Sequence, residues 1–250
     1  MSLATRGWQV FDWDAEVAAW AAAAHRVACE VTRDPAMQDA WLRHGKTWFV
    51  GVDVMPNAGD GSVDGVPLRG PWSNHVSLPA TWHSAQISVV YPGYPQQDLD
   101  ESDANHRFRK VRFAAHVDGI LPVGPERRRI PQEPHAWILG LPLNASDAAP
   151  LVVWEGSAPI MRRGLREAIG ERDPRAVDVT EAYQAARREV FETCVPHRID
   201  MGPGQAVLVH RLALHGVAPF AEGESAPPEG RMVAYFRPEL ADAMEWLAEN

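Results

Sequence analysis

The chain has 250 residues, 46% hydrophobic and 23% charged, with 19 Gly, 21 Pro and 2 Cys; this ordinary globular composition excludes a disordered tail, a collagen-like repeat and a disulfide scaffold. Lys plus Arg number 24 against 33 Asp plus Glu, a formal charge of −9, so the chain lacks the global basic footprint of a nucleic-acid binder. No apolar run nears the roughly 20 residues that cross a bilayer, and Met1 to Val10 has neither a cationic start nor an apolar signal core; the expectation is a cytoplasmic protein without a membrane or nucleic-acid partner.

In chain order, the first predicted element is a helix over Asp12 to Val31, where Val17, Trp20, Ala21, Ala24, Val27, Ala28 and Val31 recur at intervals of three and four and Asp12 or Asp14 can cap the first turn. Pro35 to Gly45 reads as a second, shorter helix. Thr47 to Met55 follows as a strand. A Gly/Pro-rich loop from Pro56 to Pro71 is long enough to form a lid. Ala85 to Tyr91 and Arg107 to Val117 read as strands, separated by an acidic run with Asp98, Asp100, Glu101 and Asp103 that is expected to be solvated.

Ala136 to Leu141 and Pro150 to Trp154 read as short strands. Two helices follow, Ala158 to Ile169 and Thr180 to Thr193, the second with Asp178 placed for a capping box with Glu181. Gln205 to Leu214 and Met232 to Phe236 return to strand, and Pro238 to Leu247 looks like a closing amphipathic helix. Cys29 and Cys194 have no framework spacing and read as reduced thiols. With no internal repeat and no sharp linker, one domain over residues 1–250 is expected. Helices at 12–45 would pack on its core, and 157–195 would be a helical insertion. Short strands that do not alternate with helices point to a mainly β jelly-roll core with a helical jacket.

The stretch KVRFAAHVDGILP, Lys110 to Pro122, carries the chemistry. Residues two apart on an extended chain share a face about 6 to 7 Å apart, so His116 and Asp118 can aim an imidazole and a carboxylate at one point. A third metal ligand is sought in GQAVLVHRLALHGVAPF, where His210 and His215 compete. His215 is preferred because it stands at a strand end before Gly216, whereas His210 is enclosed in an apolar run. Two histidines and a carboxylate form the facial triad of non-haem Fe(II) oxygenases, with adjacent positions open for a chelating cosubstrate and O₂. The same ligands also allow a metal-dependent hydrolase or isomerase on a cupin-like barrel, and a non-catalytic ligand-binding barrel stays open. In GRMVAYFRP, Arg231 would lie beside the metal strand, where its guanidinium can pair with a carboxylate; Arg237, next to Pro238, is expected nearer the strand exit.

The order His116-x-Asp118, His215-Gly216, Arg231 resembles the Fe(II)/2-oxoglutarate-dependent dioxygenases, and the segment AWILGLPLNASDAAPLVVWEGS, Ala136 to Ser157, resembles the phytanoyl-CoA dioxygenase-like branch. The resemblance spans roughly residues 80 to 240. It implies a double-stranded β-helix in which His116, Asp118 and His215 hold Fe(II). Arg231 would bind the distal carboxylate of 2-oxoglutarate and Trp137 would line the cosubstrate pocket. Val217 departs from the polar residue often found there in this branch, and Gln86 is a candidate to supply the missing polar contact. The implied reaction consumes O₂ and 2-oxoglutarate, releases succinate and CO₂, and oxidises a small-molecule substrate. Retention of Asp118 favours hydroxylation over halogenation. The basic residues Arg127, Arg128, Arg129, Arg162 and Arg163 raise a coenzyme A ester as one substrate class, although solvated arginines paired with acids are commoner.

Overall fold

The computed structural model describes residues 3–248. A short helix α1 (Leu3–Arg6) and strand β1 (Trp8–Phe11) precede α2 (Ala15–Arg33), α3 (Pro35–Trp41), β2 (Leu42–Arg43), β3 (Trp48–Gly51) and β4 (Gln86–Val90). Helix α4 (Asp103–Arg112) leads to β5 (Ile120–Val123), β6 (Arg128–Pro131), β7 (Trp137–Pro142) and β8 (Leu151–Trp154). Then come α5 (Ser157–Ile169), α6 (Thr180–Thr193), β9 (Pro196–Ile199), β10 (Ala206–His210), β11 (His215–Val217) and β12 (Arg231–Phe236).

The strands pair antiparallel in a seven-stranded sheet, β1-β10-β7-β12-β4-β3-β2, a three-stranded sheet, β11-β8-β9, and the β5-β6 ribbon. The first two sheets face one another, since Ile138 and Val209 from the larger and Leu151 and Val217 from the smaller line one cavity. The mainly antiparallel framework with helices matches the expected fold class at that level.

Strand alternation gives each sheet a second apolar face, and the helices cover it. On the large sheet, Leu139, Leu141, Leu208, Met232, Ala234 and Phe236 pack with Val17, Trp20, Ala21 and Ala24 of α2. Asp14 caps α2 by accepting from the amides of Glu16 and Val17, as the sequence predicts. On the small sheet, Val152 and Trp154 share a core with Met161, Leu165 and Val190 of α5 and α6. Among the described residues no helix is long and apolar enough to cross a membrane.

Several local expectations are corrected. The segment expected as a strand from Arg107 is α4 as far as Arg112, capped by Ser102, whose hydroxyl accepts from the Asn105 amide. Arg109, Lys110 and Arg112 in its last turn complement the helix dipole. Within the acidic run, Asp98 accepts from the amides of His44 and Gly45, and Glu101, half-buried, pairs with Arg109 at 2.9 Å. These two are structural rather than solvated. The helix begun at Pro35 ends at Trp41, before the expected Gly45, because the chain turns into β2. Pro238 to Leu247 forms only a 3₁₀ turn, Ala243–Leu247: the Leu240 amide is drawn to the Pro134 carbonyl, which holds the preceding segment extended. The Gly/Pro loop packs on α2, with Trp20 Nε1 donating to the Gly61 carbonyl, and contributes no residue to the cavity between the sheets.

Candidate metal centre

His116 reaches the site through a bend. After α4 the chain passes through Phe113 and Ala114, both with positive φ (57° and 51°), a conformation costly outside glycine and concentrated at functional sites. It then extends, and His116 exchanges both backbone hydrogen bonds with His215, at 2.8 and 3.0 Å. His210 and His215 belong to different strands: β10 ends at the first and β11 begins at the second.

The structure brings His116, Asp118 and His215 together, with one ligand atom from each lying within 4.8 Å of the others. His116 Nε2 is 3.0 Å and His215 Nε2 3.7 Å from Asp118 Oδ1. Each imidazole uses Nδ1 on a backbone carbonyl two residues earlier, Ala114 for His116 at 3.0 Å and Ala213 for His215 at 2.9 Å. A carbonyl only accepts, so Nδ1 carries the hydrogen and Nε2 is presented to the carboxylate. Three lone-pair atoms so close are favourable only with a proton or a cation among them. Burial alone pushes the Asp118 carboxyl up, but the Arg237 guanidinium and the two imidazoles hold it well below its usual range. Burial lowers His215, and Asp118 overrides it, so the imidazole is raised. Asp118 and His215 are buried, whereas the His116 side chain is 46% exposed and marks the open side.

Two glycines make this packing possible. A Cβ on Gly119 (φ +78°) would lie 1.8 Å from the Glu133 carbonyl oxygen, and one on Gly216 would lie 2.1 Å from that of Phe113. Backbone therefore closes directly on both segments that carry the triad.

The triad lines a cavity of about 150 Å³ that runs between the sheets past Gln86, Ser88, Trp48, Tyr235 and Val217. Gln86 is one of its lining residues. Trp137 is not: on β7 it is Ile138 that faces the cavity, while Trp137 points to the helical side, packs on Trp82 and donates to the Ser77 carbonyl. The correction follows from strand alternation. His210 is also remote, buried and neutral; burial, then Arg211 and Arg162, pulls its pKa down to about 3.

The two arginines of β12 and its exit divide differently from expectation. Arg231, Val233, Tyr235 and Arg237 share the inward face by alternation. Tyr235 and Arg237 line the triad cavity, and Arg237 Nη1 stands 3.6 Å from Asp118 Oδ2, only 17% exposed. Arg231 is buried at the other end of the strand, in a smaller pocket with Asn144 and Val233, and its Nη1 has no hydrogen-bond partner. Sequence reading missed Tyr235, Ser88 and Trp48 and weighed Arg237 only as the competitor of Arg231; continuing the period of two from Arg231 through Arg237 was the available signal. Of the basic cluster, Arg128 pairs with Asp178 and Glu181, and Arg163 with Glu189.

No family model and no curated protein matches the chain. Among solved structures, it is similar to EctD from S. alaskensis with 2-oxoglutarate and 5-hydroxyectoine (15% identity, 94% of this chain and 73% of that one, TM-score 0.44). It is also similar to the non-heme alpha ketoglutarate dependent carbocyclase SnoK from nogalamycin biosynthesis (13%, 94% and 81%, TM-score 0.46). A third is asparagine oxygenase AsnO (17%, 92% of each chain, TM-score 0.37). The functional reading rests on the chemistry of the site itself.

Proposed function

We propose that the chain is a single-domain oxygenase, on a jelly-roll framework of the double-stranded β-helix type, that uses Fe(II), 2-oxoglutarate and O₂ to hydroxylate a small-molecule substrate. One observation carries this reading: His116 Nε2, His215 Nε2 and Asp118 Oδ1 converge while each Nδ1 is committed to a backbone carbonyl. Two neutral nitrogens and one carboxylate oxygen suit a divalent ion that keeps further positions open. When bound, Fe(II) supplies O₂ activation coupled to decarboxylation of 2-oxoglutarate to succinate and CO₂.

The chain's own residues bind and orient. Contacts at Nδ1 fix both rings, and Arg237 near Oδ2 leaves Oδ1 facing the imidazoles. Ile138, Leu151, Val209 and Val217 form an apolar wall that disfavours water in the cavity. Gln86 and Ser88 offer polar contacts to the cosubstrate. Arg231 is its distal-carboxylate anchor in this reading, which requires the cosubstrate to extend from the triad cavity into Arg231's own pocket, where a buried guanidinium whose Nη1 lacks a partner is completed by an anion.

Fe(II) and 2-oxoglutarate added without oxygen should give a visible charge-transfer band, and Arg231→Leu should raise the 2-oxoglutarate needed for half-saturation by about tenfold or more, the loss of one charge-assisted pair. Admitting O₂ should release succinate. Iron binding without the band, or no succinate under O₂, sinks the reading.

A further inference from the structure

Arg237 lines two cavities. Beyond the one shared with the triad, its other side faces a second of about 270 Å³, whose polar wall is Asp53, His83, Glu133, His135 and Glu239. Three carboxylates stand against the Arg237 guanidinium and, at Glu239, the Arg175 guanidinium 3.8 Å away, so this wall is still net negative. His135 is buried, 6% exposed, and its ring nitrogens lack a partner at hydrogen-bond distance; the nearest group, Glu133 Oε2, stands 3.6 Å from Nε2, close enough that His135 holds the Glu133 carboxyl below its usual range. That long contact occupies at most Nε2, and a buried Nδ1 left unmet is costly unless something else meets it. His83 is already engaged, because its Nε2 accepts from the Arg237 amide at 3.1 Å. Among the described residues the Arg237 side chain has one ion-pair contact, the 3.6 Å approach to Asp118, and its guanidinium has five donors to offer beside the two cavities it lines.

We propose that this second cavity is the primary-substrate subsite and that the substrate is a small zwitterion of the amino-acid type. Its carboxylate pairs with Arg237, and its ammonium sits among Glu133, Asp53 and Glu239. His135 supplies the remaining donor and acceptor. Charge decides the class. A coenzyme A ester would bring several negative charges against three carboxylates, and a purely apolar compound would leave those carboxylates and His135 desolvated without partners. Arg237 also supplies proximity, because it lines both cavities and its Nη1 stands 3.6 Å from Asp118 Oδ2. The catalytic meaning of the subsite rests on the oxygenase reading; the binding itself does not.

The test is calorimetric titration and thermal shift of the purified chain with each of the twenty common L-amino acids, alone and with Fe(II) and 2-oxoglutarate under nitrogen, alongside the N-acetyl and methyl-ester forms of any that bind. At least one amino acid should bind saturably, both blocked forms should bind at least tenfold more weakly, and Glu133→Gln should cost a similar factor. The same amino acid should perturb the charge-transfer band and accelerate succinate release under O₂. His135→Gln, which keeps a donor and an acceptor, should retain binding where His135→Leu loses it, and this pair settles the matter if Glu133→Gln does not fold. The proposal is overturned if no amino acid binds, if the blocked forms bind equally well, or if folded Glu133→Gln binds unchanged. A band without amino-acid binding removes the subsite and leaves the oxygenase reading; amino-acid binding without a band does the reverse.

Discussion

His116 and His215, far apart in the chain, stand directly opposite one another and exchange both backbone hydrogen bonds, with ring centroids 4.8 Å apart. This bridge, rather than a continuous strand, sets the spacing of the two imidazoles. It fixes their backbones independently of their side chains, so either ring can be removed while the bridge persists.

His215→Ala and His116→Ala should each abolish the Fe(II)/2-oxoglutarate band and weaken metal binding by at least about 100-fold, since losing a direct ligand costs at least as much as losing the groups that orient one. His210→Ala should leave the band in place. Anaerobic absorption titration of the three variants checks this, and loss of the band in the His210 variant alone would show that the wrong histidine was assigned.

Gly119→Ala and Gly216→Ala force a Cβ onto the carbonyl oxygens of Glu133 and Phe113. Each should lower stability by about 2 kcal/mol or more, through the steric clash at both positions and, at Gly119, a strained positive φ as well. Urea unfolding measures it. A matching loss of metal affinity should accompany Gly216→Ala, because its Cβ would push apart the segments that carry His116 and His215.

Acid should destabilise the fold through His210. Its folded-state pKa is pulled down to about 3, whereas an unfolded histidine titrates near ~6.5. Above that value neither state binds the proton and the full stability is present. As pH falls through the window toward 3, only the unfolded chain protonates and stability is lost, by up to about 4 kcal/mol. Unfolding free energies at about pH 7 and about pH 4 should fall more steeply for the natural chain than for His210→Asn; equal slopes would rule out this contribution.

Trp20 is fully buried against Phe236 and ties α2 to the loop at Gly61. Trp20→Ala should cost about 3–5 kcal/mol, seen as a lower denaturant midpoint. The alternative, a loop that moves freely as a lid, predicts a much smaller effect.

Much of the framework was legible in the sequence because local rules govern it. The three-and-four spacing and Asp14 give α2, the apolar runs give β4, β7, β8, β10 and β12, and α6 falls at Thr180–Thr193 as read. The same rules failed where distant groups compete for the backbone. Pro134 takes the amide of Leu240 and keeps a helical pattern extended, and Arg107 to Arg112, read as the start of a strand, lie in a helix capped by Ser102.

Sequence by itself determined the candidate ligand types, their order, and the glycine beside each candidate segment. A hydrogen-bond-capable residue next to a glycine at an element's end is a local signature. Which side chains meet was decided by tertiary structure alone. Strand alternation and the facing of two sheets turned Trp137 outward, placed Arg237 against Asp118, and set Arg231 in a separate pocket with an unpartnered nitrogen. Those outcomes depend on register between segments remote in the chain, where a shift of one residue reverses every side chain on a strand.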